Sequence, residues 1–289
     1  MDIEDIGPDA VTYCETGIAA DHMYRMSAYF IQTRAPALPA QMMVHRVLHA
    51  LLHHTCRRLK SWRPDMIQPE EGYRMRCVDA RRLFGLESSN DNRAIARALD
   101  PLRDTGLFDH LFLVHDNRWL AWRFRDETLS MLLADNRYAL LDASILPKLT
   151  SILGYRIHTF VALARRMRKP MFAFDLDLLS EGLAQSDQPW SKLSARVLRA
   201  LQTCCAHHDL RAFVLLRETG SRRGIDHIEV RLVRAGSQWS KDRLAKIDLE
   251  VRRVFFVGGD GHEMFRPAEI GSVIDRRRSA KADKTGRTA

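Results

Sequence analysis

Trp190, Ser191, Lys192, Ser194, Arg196 and Arg199 crowd onto one short run of the chain. Between them they offer indole, hydroxyl, ammonium and guanidinium groups. These are donors that recognise phosphate oxygens and base edges, not a nucleophile with its base. At about 100° per residue, Leu193, Val197, Leu198, Leu201, Cys204 and Cys205 share one apolar face. Lys192, Arg196 and Arg199 fall together almost opposite. One face of a Pro189–His208 helix can therefore bury while the other presents a row of cations. The same arrangement also describes an ordinary solvated helix face. Trp190 and Ser191 stand at the helix start, where free N–H groups suit an anion.

The elements that must position these residues follow directly. Leu210–Arg217 and Ile225–Val233 partly alternate apolar and polar residues, as strands do. Between them Glu218–Gly224 carries two glycines and the pair Arg222 and Arg223. A basic-faced helix followed by a hairpin with a basic tip is the logic of a winged helix. The helix enters the major groove and the tip meets phosphate or the minor groove.

The same order occurs earlier. Gln41–Lys60 reads as a helix through Met43, Val44, Val47, Leu48, Leu51 and Leu52. Tyr73–Cys77 reads as a short strand and Val78–Gly85 as a short helix with Arg81 and Arg82 exposed. A helix over Asn92–Thr105 buries Ile95, Ala98, Leu99 and Leu102, and Asn92, Arg93 and Arg97 lie at or near its start. Phe108–Val114 and Trp119–Phe124 then form a hairpin whose turn ends at Arg118. In the later copy, Ile145–Met167 is the first helix, Met171–Phe174 the strand and Leu176–Ala184 the short helix. Two such series in tandem, both with arginines on the outer face of the fourth element, favour nucleic-acid binding over a generic helical scaffold.

The expected fold class is α+β, mainly helical, with two tandem winged-helix domains and small antiparallel hairpins. The divisions are an N-terminal arm at 1–40, a first domain at 41–126, a connecting segment at 127–144, a second domain at 145–236, an extension at 237–271 and a basic tail at 272–289. The arm includes a short helix over Asp21–Thr33 and packs loosely or orders on a partner. Trp239–Arg252 is expected to be helical, with a strand at Val254–Val257 before a glycine-rich turn. His45, His49 and His53 recur at the spacing of a metal face, but no local acid or cysteine completes a site. They read as partly exposed polar residues.

Composition limits the function. The chain of 289 residues has a net charge of +9, a pI near 9.6 and 46% apolar residues, enough for true cores beside a polyanionic partner. No apolar run spans a membrane, and the acidic start lacks the order of a signal peptide. The five cysteines form no CxxC pair, which fits reduced thiols in the cytoplasm. No nucleophile elbow, zinc-protease, Walker or dinucleotide motif occurs, so no enzyme activity, cofactor or metal is expected.

The runs LTSILGYRIHTFVALAR, PWSKLSARVLRAL and FVLLRETGSRRGIDHIEVRLV resemble those of plasmid replication initiator (Rep) proteins with tandem winged helices. The likeness covers roughly residues 41–234. It implies that Trp190, Lys192, Ser194, Arg196 and Arg199 read bases or contact phosphate, with a wing contact from Arg222 and Arg223. It also implies binding to repeated double-stranded origin sites and recruitment of host replication proteins. Homodimerisation remains open, since the first domain has no leucine zipper. A winged-helix transcription regulator would carry the same reading parts, and a protein-interaction scaffold is the third alternative.

Overall fold

The computed structural model describes residues 22–59, 68–86, 88, 91–133, 137–175, 190–217, 227–234 and 251–266. The described residues up to Lys169 form one compact unit, and those from Pro170 onward form a second.

Helix α1 (Met42–Arg58) is the core of the first unit. Its Val44, Val47, Leu48, Leu51 and Leu52 recur at helical spacing, and all are buried. Strand β1 (Met23–Ser27) pairs antiparallel with β5 (Tyr138–Asp142). A three-stranded antiparallel sheet follows the order β2 (Tyr73–Arg76), β4 (Trp119–Phe124), β3 (Phe108–Val114). Helices α2 (Cys77–Leu83) and α3 (Arg93–Arg103) lie in the chain between β2 and β3. Trp122 of β4 is fully buried, and its indole N–H donates to Thr55 Oγ1 of α1 at 3.1 Å. Helix α4 (Asp126–Leu133) and α5 (Ile152–Ala164) complete the unit. From Leu153 to Ala164 every residue of α5 is buried, as its sequence, apolar nearly all round, requires.

In the second unit, helix α6 (Trp190–His208) packs against a five-stranded antiparallel sheet. The strands are β6 (Met171–Asp175), β7 (Leu210–Arg217), β8 (His227–Arg234), β9 (Val251–Gly258) and β10 (Gly261–Phe265). Their order is β10–β9–β7–β8–β6. Central β7 reads LRAFVLLR, apolar on both faces, as a strand covered on both sides must be. Ala212, Val214 and Leu216 are buried on one face. On the other, Phe213 and Leu215 join Val254 and Phe256 in a buried cluster. The two units share a pairing scheme: the strand ahead of the helix pairs with the second strand of the hairpin, giving β2–β4–β3 and β6–β8–β7.

Several expectations are corrected. The segment 22–40 is not a loose arm. Tyr24, Met26, Phe30 and Ile31 are almost wholly buried, and strand β1 with a π-helical turn at Phe30–Arg34 replaces the expected helix. The β1–β5 pairing makes this segment part of the first core. The helix expected over Ile145–Met167 begins only at Ile152. Ala143–Lys148 is a 3₁₀ turn containing Pro147, and Ser151 caps the helix by accepting from Gly154 N at 3.0 Å. That helix groups with the first unit, across the expected boundary at 145, and β9 and β10 join the second sheet, across the boundary at 236. Residues 251 and 252, expected to end a helix, already belong to β9. Ten strands lie among the described residues beside the helices, so the fold is α+β with extensive antiparallel sheet. His45, His49 and His53 are buried because α1 is enclosed on that side too, and Arg81 is buried as well. The expected short helix Leu176–Ala184, the tip Glu218–Gly224 and the tail lie outside the described residues, as does most of the Trp239–Arg252 helix.

Candidate nucleic-acid interface

In the second unit, α6 turns Leu193, Val197, Leu198, Leu201, Cys204 and Cys205 inward. Lys192, Arg196 and Arg199 are exposed on the opposite side, and none makes a side-chain hydrogen bond or ion pair with another described residue. Their charge is therefore uncompensated locally and open to an anion. Ser191 is exposed, and Ser194 is half-buried with its hydroxyl donating to the Ser191 carbonyl at 3.3 Å. Trp190 does not belong to this surface. It is 6% exposed, and its ring lies 6.1 Å from Phe255 of β9. The helical period already places it with Val197 and Leu201, on the inner face. Arg222 and Arg223 lie outside the described residues.

In the first unit, the start of α3 and the β3–β4 turn are tied together. Asn92 Nδ2 donates to the Asn117 carbonyl at 2.6 Å, while Asn92 Oδ1 accepts from Arg81. Cys77 N donates to the Arg118 carbonyl at 2.8 Å. His115, Asp116 and Asn117 all hold positive φ, at 50°, 55° and 61°. These are residue types that tolerate the left-handed region, at a cost on the order of 1 kcal/mol each. The turn thus folds back onto the helix start and sets Arg118 beside it.

Asn92 is consequently a positioning residue whose side chain is already engaged. Arg93 is exposed but paired with Asp91 at 3.0 Å, and Asp91 also accepts from Arg93 N at 2.8 Å. The Arg93 hydrogen bonds hold the Asp91 carboxyl below its ordinary pKa. Arg97 and Arg118 are exposed and form no side-chain hydrogen bond or ion pair with another described residue. The first unit therefore offers fewer uncompensated cations on its helix than the second. Arg76 and Arg82 nearby are both held by Asp79.

The sequence did not point to Asn117 or Arg81 as anchors. Asn117 contributes through a backbone carbonyl, which no residue type signals. The histidine spacing on α1 serves packing. His49 Nδ1 meets Tyr24 OH at 2.5 Å, and no group of metal-binding side chains occurs among the described residues. No described helix is long and apolar enough to cross a membrane.

No protein-family model matches the chain, and no curated protein matches it. Among solved structures, the Pi initiator protein in complex with iteron DNA is similar at a TM-score of 0.49 and 12% identity. The match covers 76% of this chain and 100% of that one.

Proposed function

We propose that the chain is a sequence-specific double-stranded DNA-binding protein built on two winged-helix units. The observation that carries this reading is the uncompensated row Lys192, Arg196 and Arg199 on a helix whose other face is locked to a sheet. The repeated pairing scheme, β2–β4–β3 and β6–β8–β7, supports a second reader of the same kind around Arg97 and Arg118. The protein works by binding energy, without a catalytic step of its own. Phosphate neutralisation supplies affinity, and a few side chains on α6 and α3 read base edges.

Initiation of plasmid-type replication at repeated origin sites is the role we assign to that binding, on the resemblance of roughly residues 41–234 to replication initiators. Mobility shift over a salt series tests the first part. Affinity should fall steeply and linearly on a logarithmic scale as salt rises, and a flat response would sink it. Transformation tests the second part. A plasmid carrying the DNA that flanks the gene, where this reading expects direct repeats, should replicate only when the protein is supplied. DNA binding without replication would leave a transcription regulator.

A further inference from the structure

The β9–β10 hairpin runs alongside α6 and leaves an open groove between them. At one end, the turn presses on the helix. A Cβ on Gly259 would stand 3.0 Å from both Cα and Cβ of Ala206, and Gln202 Nε2 donates to the Gly259 carbonyl at 3.4 Å. At the other end, Phe255 meets Trp190. The groove between encloses about 400 Å³. Its polar lining is Ser194, Arg199 and Gln202 from the helix and His262 from β10, and its floor is Leu198 and Phe255. Among the described residues, no carboxylate lines it. Asp260 is turned toward Arg211, 3.9 Å away, and Glu263 falls on the other face of β10 by the alternation of the strand.

We propose that this groove takes a stretch of the sugar–phosphate backbone of the bound duplex, so that β10 is a third DNA-contacting element. The inference rests on the DNA-binding reading above. The Arg199 guanidinium, the His262 imidazole and the second N–H of the Gln202 amide converge here without a competing anion among the described residues, which is the complement of a phosphodiester. The apolar floor suits the deoxyribose between two phosphates. Arg199 joins the two surfaces, since it belongs both to the exposed cation row and to the groove wall. A backbone strand lying in the groove would run beside the bases that Arg196 faces. His262 and Gln202 then set the register of α6 on the duplex without reading sequence.

The test uses the full chain and compares His262→Glu and a His262→Ala/Gln202→Ala double variant with wild type and Arg196→Ala. Each is measured by mobility shift on cognate and random duplex and by backbone footprinting, with a thermal melt to verify folding. The double variant should lose about fivefold to tenfold in affinity on both duplexes, keeping their ratio. His262→Glu should lose more, and both should lose protection on the backbone beside the Arg196 contact. Unchanged affinity and footprint in both groove variants, with Arg196→Ala weakened, would overturn the groove and leave the DNA-binding reading intact. A wild type without salt-dependent duplex binding would overturn the reading and the groove with it.

Discussion

The side-chain amide of Asn92 reaches the backbone carbonyl of Asn117 across 2.6 Å, joining the start of one helix to the turn of the hairpin that follows it. Because Asn92 also accepts from Arg81, three elements meet at one side chain. The left-handed residues His115, Asp116 and Asn117 are held in place by this tie rather than by glycine.

Asn92→Ala should therefore destabilise the first unit by about 1 kcal/mol, the usual worth of a hydrogen bond, and weaken duplex binding by displacing Arg118. Asn92→Asp separates the two bonds, since it still accepts from Arg81 but cannot donate to Asn117. Urea denaturation and mobility shift on both variants check this. Equal binding by all three proteins would show that the tie does not position the turn.

Asp91 restrains Arg93, so removing its charge should help binding. Asp91→Asn is expected to raise non-specific duplex affinity a few-fold and to steepen the salt dependence by up to about 0.9 in log–log slope, one additional phosphate contact. A slope equal to wild type would mean that Arg93 does not reach DNA.

Arg196→Ala should cost roughly 1–3 kcal/mol on the cognate site and less on random DNA, lowering the ratio between them. Arg222→Ala should weaken both duplexes alike. Competition binding distinguishes these patterns, and equal losses for both variants on both duplexes would remove Arg196 from base reading.

Trp190 anchors the core of the second unit. Trp190→Ala should cost about 3–5 kcal/mol of stability, whereas Trp190→Phe should retain DNA binding because no base contact is lost. A folded Trp190→Phe with lost specificity would restore the indole to the reading surface.

Stability should fall as acidity rises. Burial lowers the pKa of His45 to about 4, with Arg156 adding to the effect, and burial lowers that of His49 to about 3, with His45 adding to it. The unfolded chain binds these protons near pH 6.5, well before the folded protein does. Stability from the neutral rings is thus full above about pH 6.5 and drains away as pH falls toward 4 and then 3, at up to about 1.4 kcal/mol per pH unit for each ring. Urea midpoints across this range should show the slope, and His49→Gln should flatten it.

Much of this was legible in the chain. The hairpin Phe108–Val114 and Trp119–Phe124 matches its alternation and turn residues, and α6 follows its apolar stripe within a residue. These are local patterns, set by neighbours in sequence. What escaped was non-local. The β1–β5 pairing joins Met23 to Asp142, and only such a partner makes a strand of a segment with weak periodicity. The groove beside α6 was likewise invisible, because His262 lies far along the chain from Ser194. Trp190 was a different kind of miss. Its angle on the helix pointed inward, but its chemistry suggested a contact at the tip.

Strand β7 takes β8 on one side and β9 on the other, and β9 is supplied from well beyond the hairpin. During synthesis, a chain that has reached only residue 236 holds β7 with one edge unsatisfied, a surface prone to pairing with another chain. The second unit therefore finishes folding only when residues 251–265 have left the ribosome. A truncation that ends at the hairpin should aggregate, and any shortened version meant to bind DNA has to extend through Phe265.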